Sequence, residues 1–146
     1  MRPNKDWAML GMAMLLGSNA SCARRQVGCI LTDEASIIVG SGYNGRIAGV
    51  PNCEEPNLCV GHCEGMHAEI NALLRRTGSP AHAYVSCMPC LHCAKALVAA
   101  GARRIITCMG PMDAEQKAAQ KLWRQFGFEI LELNCPAAMA SDVLLA

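Results

Sequence analysis

Two short stretches of the chain concentrate side chains able to do chemistry: 67-HAE-69 and 86-SCMPCLHCAK-95. In the second, Cys87, Cys90, His92 and Cys93 fall within seven residues, more soft ligands than one site can use. Cys90 and Cys93 form a C-x2-C that follows a strand-like run and opens a helix-like one. Pro89 suits that place, because the N–H it lacks is one that a first helical turn leaves unpaired. Backbone N–H groups and the helix dipole there favour thiolates, the forms that bind zinc. His67 also stands at the start of a helical run, just after Gly65. On a mid-helix ladder His67 and Glu69 would point about 200° apart, so both reach one ion only from a first turn. One histidine and two cysteines leave the fourth position of a tetrahedral zinc open to water, which separates catalytic from structural zinc. On this reading Cys87 is strand packing, and His92, between the two thiolates, points away from the metal.

Each fragment alone is weak. A lone C-x2-C also fits structural zinc or a thioredoxin-like redox site, and a lone H-x-E fits a capping histidine with a solvent glutamate. The redox alternative has no use for His67, and a purely structural zinc has none for Glu69. In this order, each at a helix start, they match the His/Cys/Cys zinc with a non-ligand glutamate that activates water against a nucleobase.

The elements that must position these residues are legible from periodicity and from glycine and proline punctuation. Residues 5–17 read as a helix opened by Asn4 and Asp6. Val27–Thr32 and Ile37–Gly42 read as a hairpin around the turn 33–36. Residues 45–65 form a long Gly- and Pro-containing loop, a length uncommon unless the loop is functional or pinned. The helices Met66–Arg76, Leu91–Ala100 and Asp113–Phe126 then alternate with the strands Ala83–Cys87, Arg104–Cys108 and Glu129–Leu133. The order α-ββ-α-β-α-β-α-β predicts one α/β domain over residues 1–146, with a five-stranded mixed sheet between layers of helices. Right-handed crossovers make the helix-linked strands parallel.

Composition narrows the function. A formal net charge of +1 disfavours a polymeric nucleic-acid or membrane-surface binder, so a nucleotide would sit in a pocket. The apolar run 7–17 is too short for a membrane span, and Asp6 spoils the positive flank of a secretory signal. Ten cysteines in a chain of regular helix and strand alternation point to thiolate–metal chemistry in a reducing, cytoplasmic setting rather than a disulfide scaffold.

The segments 21-SCARRQVG-28, 42-GYNG-45, 67-HAEINAL-73, 84-YVSCMPCLHCAKALVAAG-101 and 104-RIITC-108 resemble the deoxycytidylate (dCMP) deaminases of the cytidine deaminase-like superfamily. The likeness runs over roughly residues 5–133. It implies a three-layer α/β/α fold and hydrolytic deamination of dCMP to dUMP, supplying thymidylate synthesis. His67, Cys90 and Cys93 would hold Zn2+, and Glu69 would carry protons as general acid and base. Asn44 would touch the sugar 3′-hydroxyl; its alternative is a turn residue in left-handed backbone. The resemblance further implies a homo-hexamer activated by dCTP and inhibited by dTTP. The effector site, with Mg2+ on the triphosphate, would involve Gly42, Tyr43, Asn44, Gly45 and Arg25, although Arg24–Arg25 reads equally as a solvated pair. Relatives often carry a tyrosine after the fourth strand, where this chain has 109-MGPM-112, and Met112 could wall the base pocket instead. Rival readings are a dCTP, cytidine, free-cytosine or tRNA-adenosine deaminase, or a non-catalytic zinc-stabilised binding module.

The remaining cysteines divide. Cys22, Cys53, Cys59 and Cys63, with His62, gather around the long loop, and some relatives hold a second, structural zinc there. Cys29, Cys87 and Cys108 fall in predicted strands, where cysteine acts as a small hydrophobe. Cys135 lies outside any motif. Met9, Met12, Met14 and Trp123 have the spacing of core or subunit-interface residues.

Overall fold

A computed structural model describes residues 4–22, 24–53 and 64–135. It contains α1 (Lys5–Gly17), β1 (Gly28–Thr32), β2 (Ile38–Tyr43), α2 (Ala68–Leu74), β3 (His82–Val85), α3 (Leu91–Ala100), β4 (Arg104–Cys108), α4 (Ala114–Gln125) and β5 (Glu129–Leu133). The five strands lie in the order β2-β1-β3-β4-β5. β1 is antiparallel to both β2 and β3, whereas the helix-linked pairs β3–β4 and β4–β5 are parallel. The mixed sheet is therefore the one expected from the element order, with the hairpin at one side and β3 at its centre.

Both faces are covered. α1 packs on one, where Leu10 and Ala13 meet Ile30, Tyr84 and Ile106. α2, α3 and α4 cover the other, where Cys29, Leu31, Val85 and Ile105 meet Ala72, Leu97 and Trp123. Each residue of β1 is accordingly buried, as a doubly covered strand requires. α1 approaches β1 so closely that a side chain at Gly28 would run into the backbone of Ala13. Asp6 in the first turn of α1 ties that helix to the sheet. It accepts two bonds from Arg104, at 2.8 and 2.7 Å, and one from the Tyr84 hydroxyl at 2.9 Å.

Several boundaries depart from the sequence reading, among them the following. β3 stops at Val85 rather than Cys87, because Ser86 turns its backbone N–H to the Gly28 carbonyl and its hydroxyl accepts from the Gly28 N–H. Cys87 is thus a loop residue and not strand packing. α2 begins later than Met66, which is held in a two-bond bridge with Gly45, and it ends at Leu74. β2 runs one residue further than read, to Tyr43.

Candidate metal centre and catalytic cavity

The carboxyl ends of β3 and β4 lead into the starts of α3 and α4, and the start of α2 lies against them. Open α/β sheets bind ligands at this end of their strands. His67 and Cys90 are the N-cap residues of α2 and α3, with extended backbone (φ −71°, ψ 151° and φ −71°, ψ 169°). Neither side chain makes a capping hydrogen bond. Both are left pointing at one another, and Cys93 joins them one turn into α3.

The corner has the dimensions of a zinc site. His67 Nδ1 lies 3.5 Å from Cys90 Sγ and 3.3 Å from Cys93 Sγ, and the three ligand atoms lie within 4.8 Å of one another. Bonds of about 2.0–2.1 Å to nitrogen and 2.3 Å to sulfur, set at a tetrahedral angle, separate N and S by about 3.5 Å. Cys90 is primed as a thiolate: hydrogen bonds with Cys93 and His67 bring it down to about 3. Its partner Cys93 is pushed far up by the same bond and by burial. The hydrogen bond to Cys90 raises His67. His92 is exposed and outside the cluster, as the sequence reading had it.

Glu69 lies behind the corner and is 3% exposed. Burial raises its carboxyl above the ordinary range, against the lowering effect of its backbone hydrogen bond and of His67. A buried carboxyl whose pKa is raised in this way is a candidate general acid and base. Burial, and after it the field of Glu69, lift the Cys87 thiol to about 11.

These groups open into a cavity of about 270 Å³, whose walls include Arg24, Arg25, Asn44, Met88 and Asp113. A second cavity of about 750 Å³ adjoins it, sharing Arg25, Cys87, Met88 and Gln116. Met112 lines that second cavity and not the smaller one, whereas Met88 and Gln116 line both. Cys87, Arg24, Asp113 and Gln116 were not anticipated as cavity residues. The Asp113/Gln116 spacing of a capping box was the available signal for two of them.

Asn44 is not in left-handed backbone; among the described residues other than glycine, only Ser36 has positive φ. Its carboxamide instead fastens β2 to the start of β1, accepting from Val27 N at 2.7 Å and donating to the Arg25 carbonyl at 2.8 Å. Gly42 packs so tightly on α2 that an added Cβ would lie 2.6 Å from Ala72 N. Tyr43 is exposed and Gly45 sits in the bridge to Met66. Arg25 faces both cavities. Cys22 and Cys53 are brought side by side by a parallel bridge, whereas Cys59, His62 and Cys63 lie outside the described residues. Cys29 is fully buried, and Trp123 is core. Cys108 is half-buried and contacts Met14, at 3.6 Å between sulfurs. Met12 is exposed, while Met9 packs beside α1's core residues.

A sheet covered on both faces, with a His/Cys/Cys corner and a buried glutamate at helix starts, defines the class of zinc-dependent deaminase folds. Residues 3–109 match the family described as the cytidine and deoxycytidylate deaminase zinc-binding region, and the chain belongs to that family. It is 34% identical to a deoxycytidylate deaminase of Saccharomyces cerevisiae over 88% of this chain and 46% of that protein. It thus spans about half the length of the yeast relative. It is 31% identical to the deoxycytidylate deaminase of Mycobacterium phage D29, over 72% of this chain and 94% of the phage protein. Among solved structures it is similar to the apo dCMP deaminase of cyanophage S-TIM5, with a TM-score of 0.73 and 25% identity over 91% of this chain and 100% of the other.

Proposed function

We propose that the protein is a zinc-dependent dCMP deaminase, converting dCMP and water to dUMP and ammonia. The observation that carries this reading is the buried Glu69 beside the His67/Cys90/Cys93 corner, at the wall of a cavity of about 270 Å³. Zinc held by His67, Cys90 and Cys93 supplies Lewis-acid activation of water at neutral pH. Glu69 takes the proton of the attacking water and delivers it to N3 of the cytosine, which makes C4 electrophilic. The hydroxide left from that water bonds to C4. Glu69 then takes the proton of the new C4 hydroxyl and hands it to the amino group. The C4–N bond breaks, and ammonia leaves a C4 carbonyl beside N3–H. One carboxylate thereby serves as base and then as acid.

Arg24 and Arg25 at the cavity wall supply cationic charge that suits a 5′-monophosphate. Asn44, another residue of the cavity wall, is the proposed contact of the sugar 3′-hydroxyl. The names of the yeast and phage relatives favour the same substrate.

The finer assignments rest on family resemblance. The effectors are dCTP and dTTP, with Mg2+ on the triphosphate, at Gly42, Tyr43, Asn44, Gly45 and Arg25 of a homo-hexamer. The second zinc uses Cys22 and Cys53 with Cys59 and Cys63, and the adjacency of the first two supports it. Among the described residues no helix is long and apolar enough to cross a membrane, and a cytoplasmic enzyme is proposed.

One assay tests the reading: turnover of dCMP, dCTP, deoxycytidine and cytosine, each with and without dTTP or dCTP as effector. Clear preference for dCMP supports it, and equal or better turnover of another substrate overturns it. A rate that ignores both effectors removes the regulatory part, and one zinc per chain removes the second metal.

A further inference from the structure

Gln116 is 3% exposed and lies in the wall between the two cavities. Both ends of its amide are engaged. Its Oε1 accepts from Asp113 N at 2.9 Å, and its Nε2 donates to the Met88 carbonyl at 2.8 Å. Its own backbone N–H donates to Asp113 Oδ1 at 2.8 Å, which closes the capping box of α4. A capping box needs only the first and third of these bonds. The bond to Met88 is additional, and it reaches 28 residues back along the chain to a carbonyl two positions before Cys90.

Met88 is itself 3% exposed, so a carbonyl that lost this donor would be stranded without water. The segment Met88–Pro89–Cys90 carries no strand pairing, because β3 has ended at Val85. The side chain of Cys90, the helix N-cap, makes no capping hydrogen bond. The amide that pins the Met88 carbonyl therefore ties the segment leading into α3 to the start of α4.

We propose that Gln116 is a positioning residue for the metal corner. By holding the Met88 carbonyl against the start of α4 it fixes where Cys90 presents its thiolate to His67 and Cys93. The inference rests on the zinc reading of those three residues and not on the identity of the substrate. Groups that orient metal ligands typically change metal affinity by about 10–100-fold when lost. Gln116 acts through one intervening carbonyl, so the lower end, about ten-fold, applies.

The test is the rate at which zinc-loaded full-length protein loses metal to excess chelator. Gln116→Met keeps the volume and removes both side-chain bonds. Gln116→Glu keeps the acceptor for Asp113 N, and at neutral pH loses the donor to Met88. Ala119→Gly weakens the same helix without touching the bracket, and serves as the control. The expected result is zinc release about ten-fold faster in both Gln116 variants, near wild-type release in Ala119→Gly, and reduced kcat with KM within about two-fold. Release within two-fold of wild type in both Gln116 variants, or release no faster than in Ala119→Gly at equal loss of Tm, overturns the proposal. Because zinc release needs no turnover, a failed dCMP assay and a failed release assay identify different errors.

Discussion

Replacing Glu69 by glutamine separates the chemistry of the site from its architecture. The amide has the size of the carboxylate, so the buried space behind the metal corner stays filled. It cannot take a proton from water or return one. General acid–base catalysis contributes about 10²- to 10⁴-fold per group. Glu69 is assigned two transfers in succession, so the upper end applies, and about 10⁴ in kcat corresponds to roughly 5.4 kcal/mol of barrier at 1.36 kcal/mol per decade. Folding should not suffer, because burial already disfavours the charged form of this carboxyl and the neutral amide escapes that cost. The assay follows loss of cytosine absorbance at saturating dCMP, alongside zinc content by elemental analysis and Tm. The expected variant keeps its zinc, melts at or above the wild-type temperature and loses about four decades of turnover. Turnover within ten-fold of wild type would refute the role of Glu69. Loss of zinc together with activity would make it a ligand and refute the three-ligand corner.

Asp6→Asn keeps an acceptor for Tyr84 and loses the charge that pairs bidentately with Arg104. For a pair whose side chains remain 21% and 19% exposed, this costs about 1–2 kcal/mol, or roughly 2–8 °C in Tm. The Arg104 hydrogen bond holds the Asp6 carboxyl below its ordinary 3.8, so its contribution is present above that value and lost as pH falls through the lower folded one. Urea unfolding should therefore show the two proteins converging only in strong acid. Gly28→Ala would drive a methyl group into the Ala13 backbone, and a loss of about 3 kcal/mol or more is expected by the same method. His92→Ala removes an exposed side chain from the start of α3, and zinc content and kcat should remain within two-fold of wild type.

Local signals placed most elements. α1, α3, β4 and β5 have the bounds read from the sequence, because each is punctuated by a cap or a glycine, as at Gly101, whose φ of 115° closes α3. The end of β3 was not local. Val85 and Cys87 both look strand-like, and only the turn of Ser86 onto Gly28 decides between them. The same holds for Met112, whose distance from the catalytic cavity depends on how α4 meets α3. The second use of Gln116 is a contact between residues 88 and 116, which no periodicity announces.

The candidate metal corner was legible for a reason that the starts of α1, α2, α3 and α4 make visible. Asn4 and Asp113 spend their side chains on capping, accepting from Asp6 N and Gln116 N. His67 and Cys90 stand at the same structural position with side chains that cap poorly, and they make no such bond. A good cap is worth about 1 kcal/mol, so α2 and α3 each forgo that stabilisation. The residue types at these two starts make sense only if the side chains are committed elsewhere. An extended N-cap also aims its side chain back across the helix start, toward the carboxyl ends of the strands, where the first turns of α2 and α3 face each other. A helix that begins on a candidate metal ligand instead of a capping residue therefore carries both the position and the direction of that side chain in the sequence. That is why HAE and PCLHC could be joined into one site across 23 residues, whereas the bracket that steadies them could not be read.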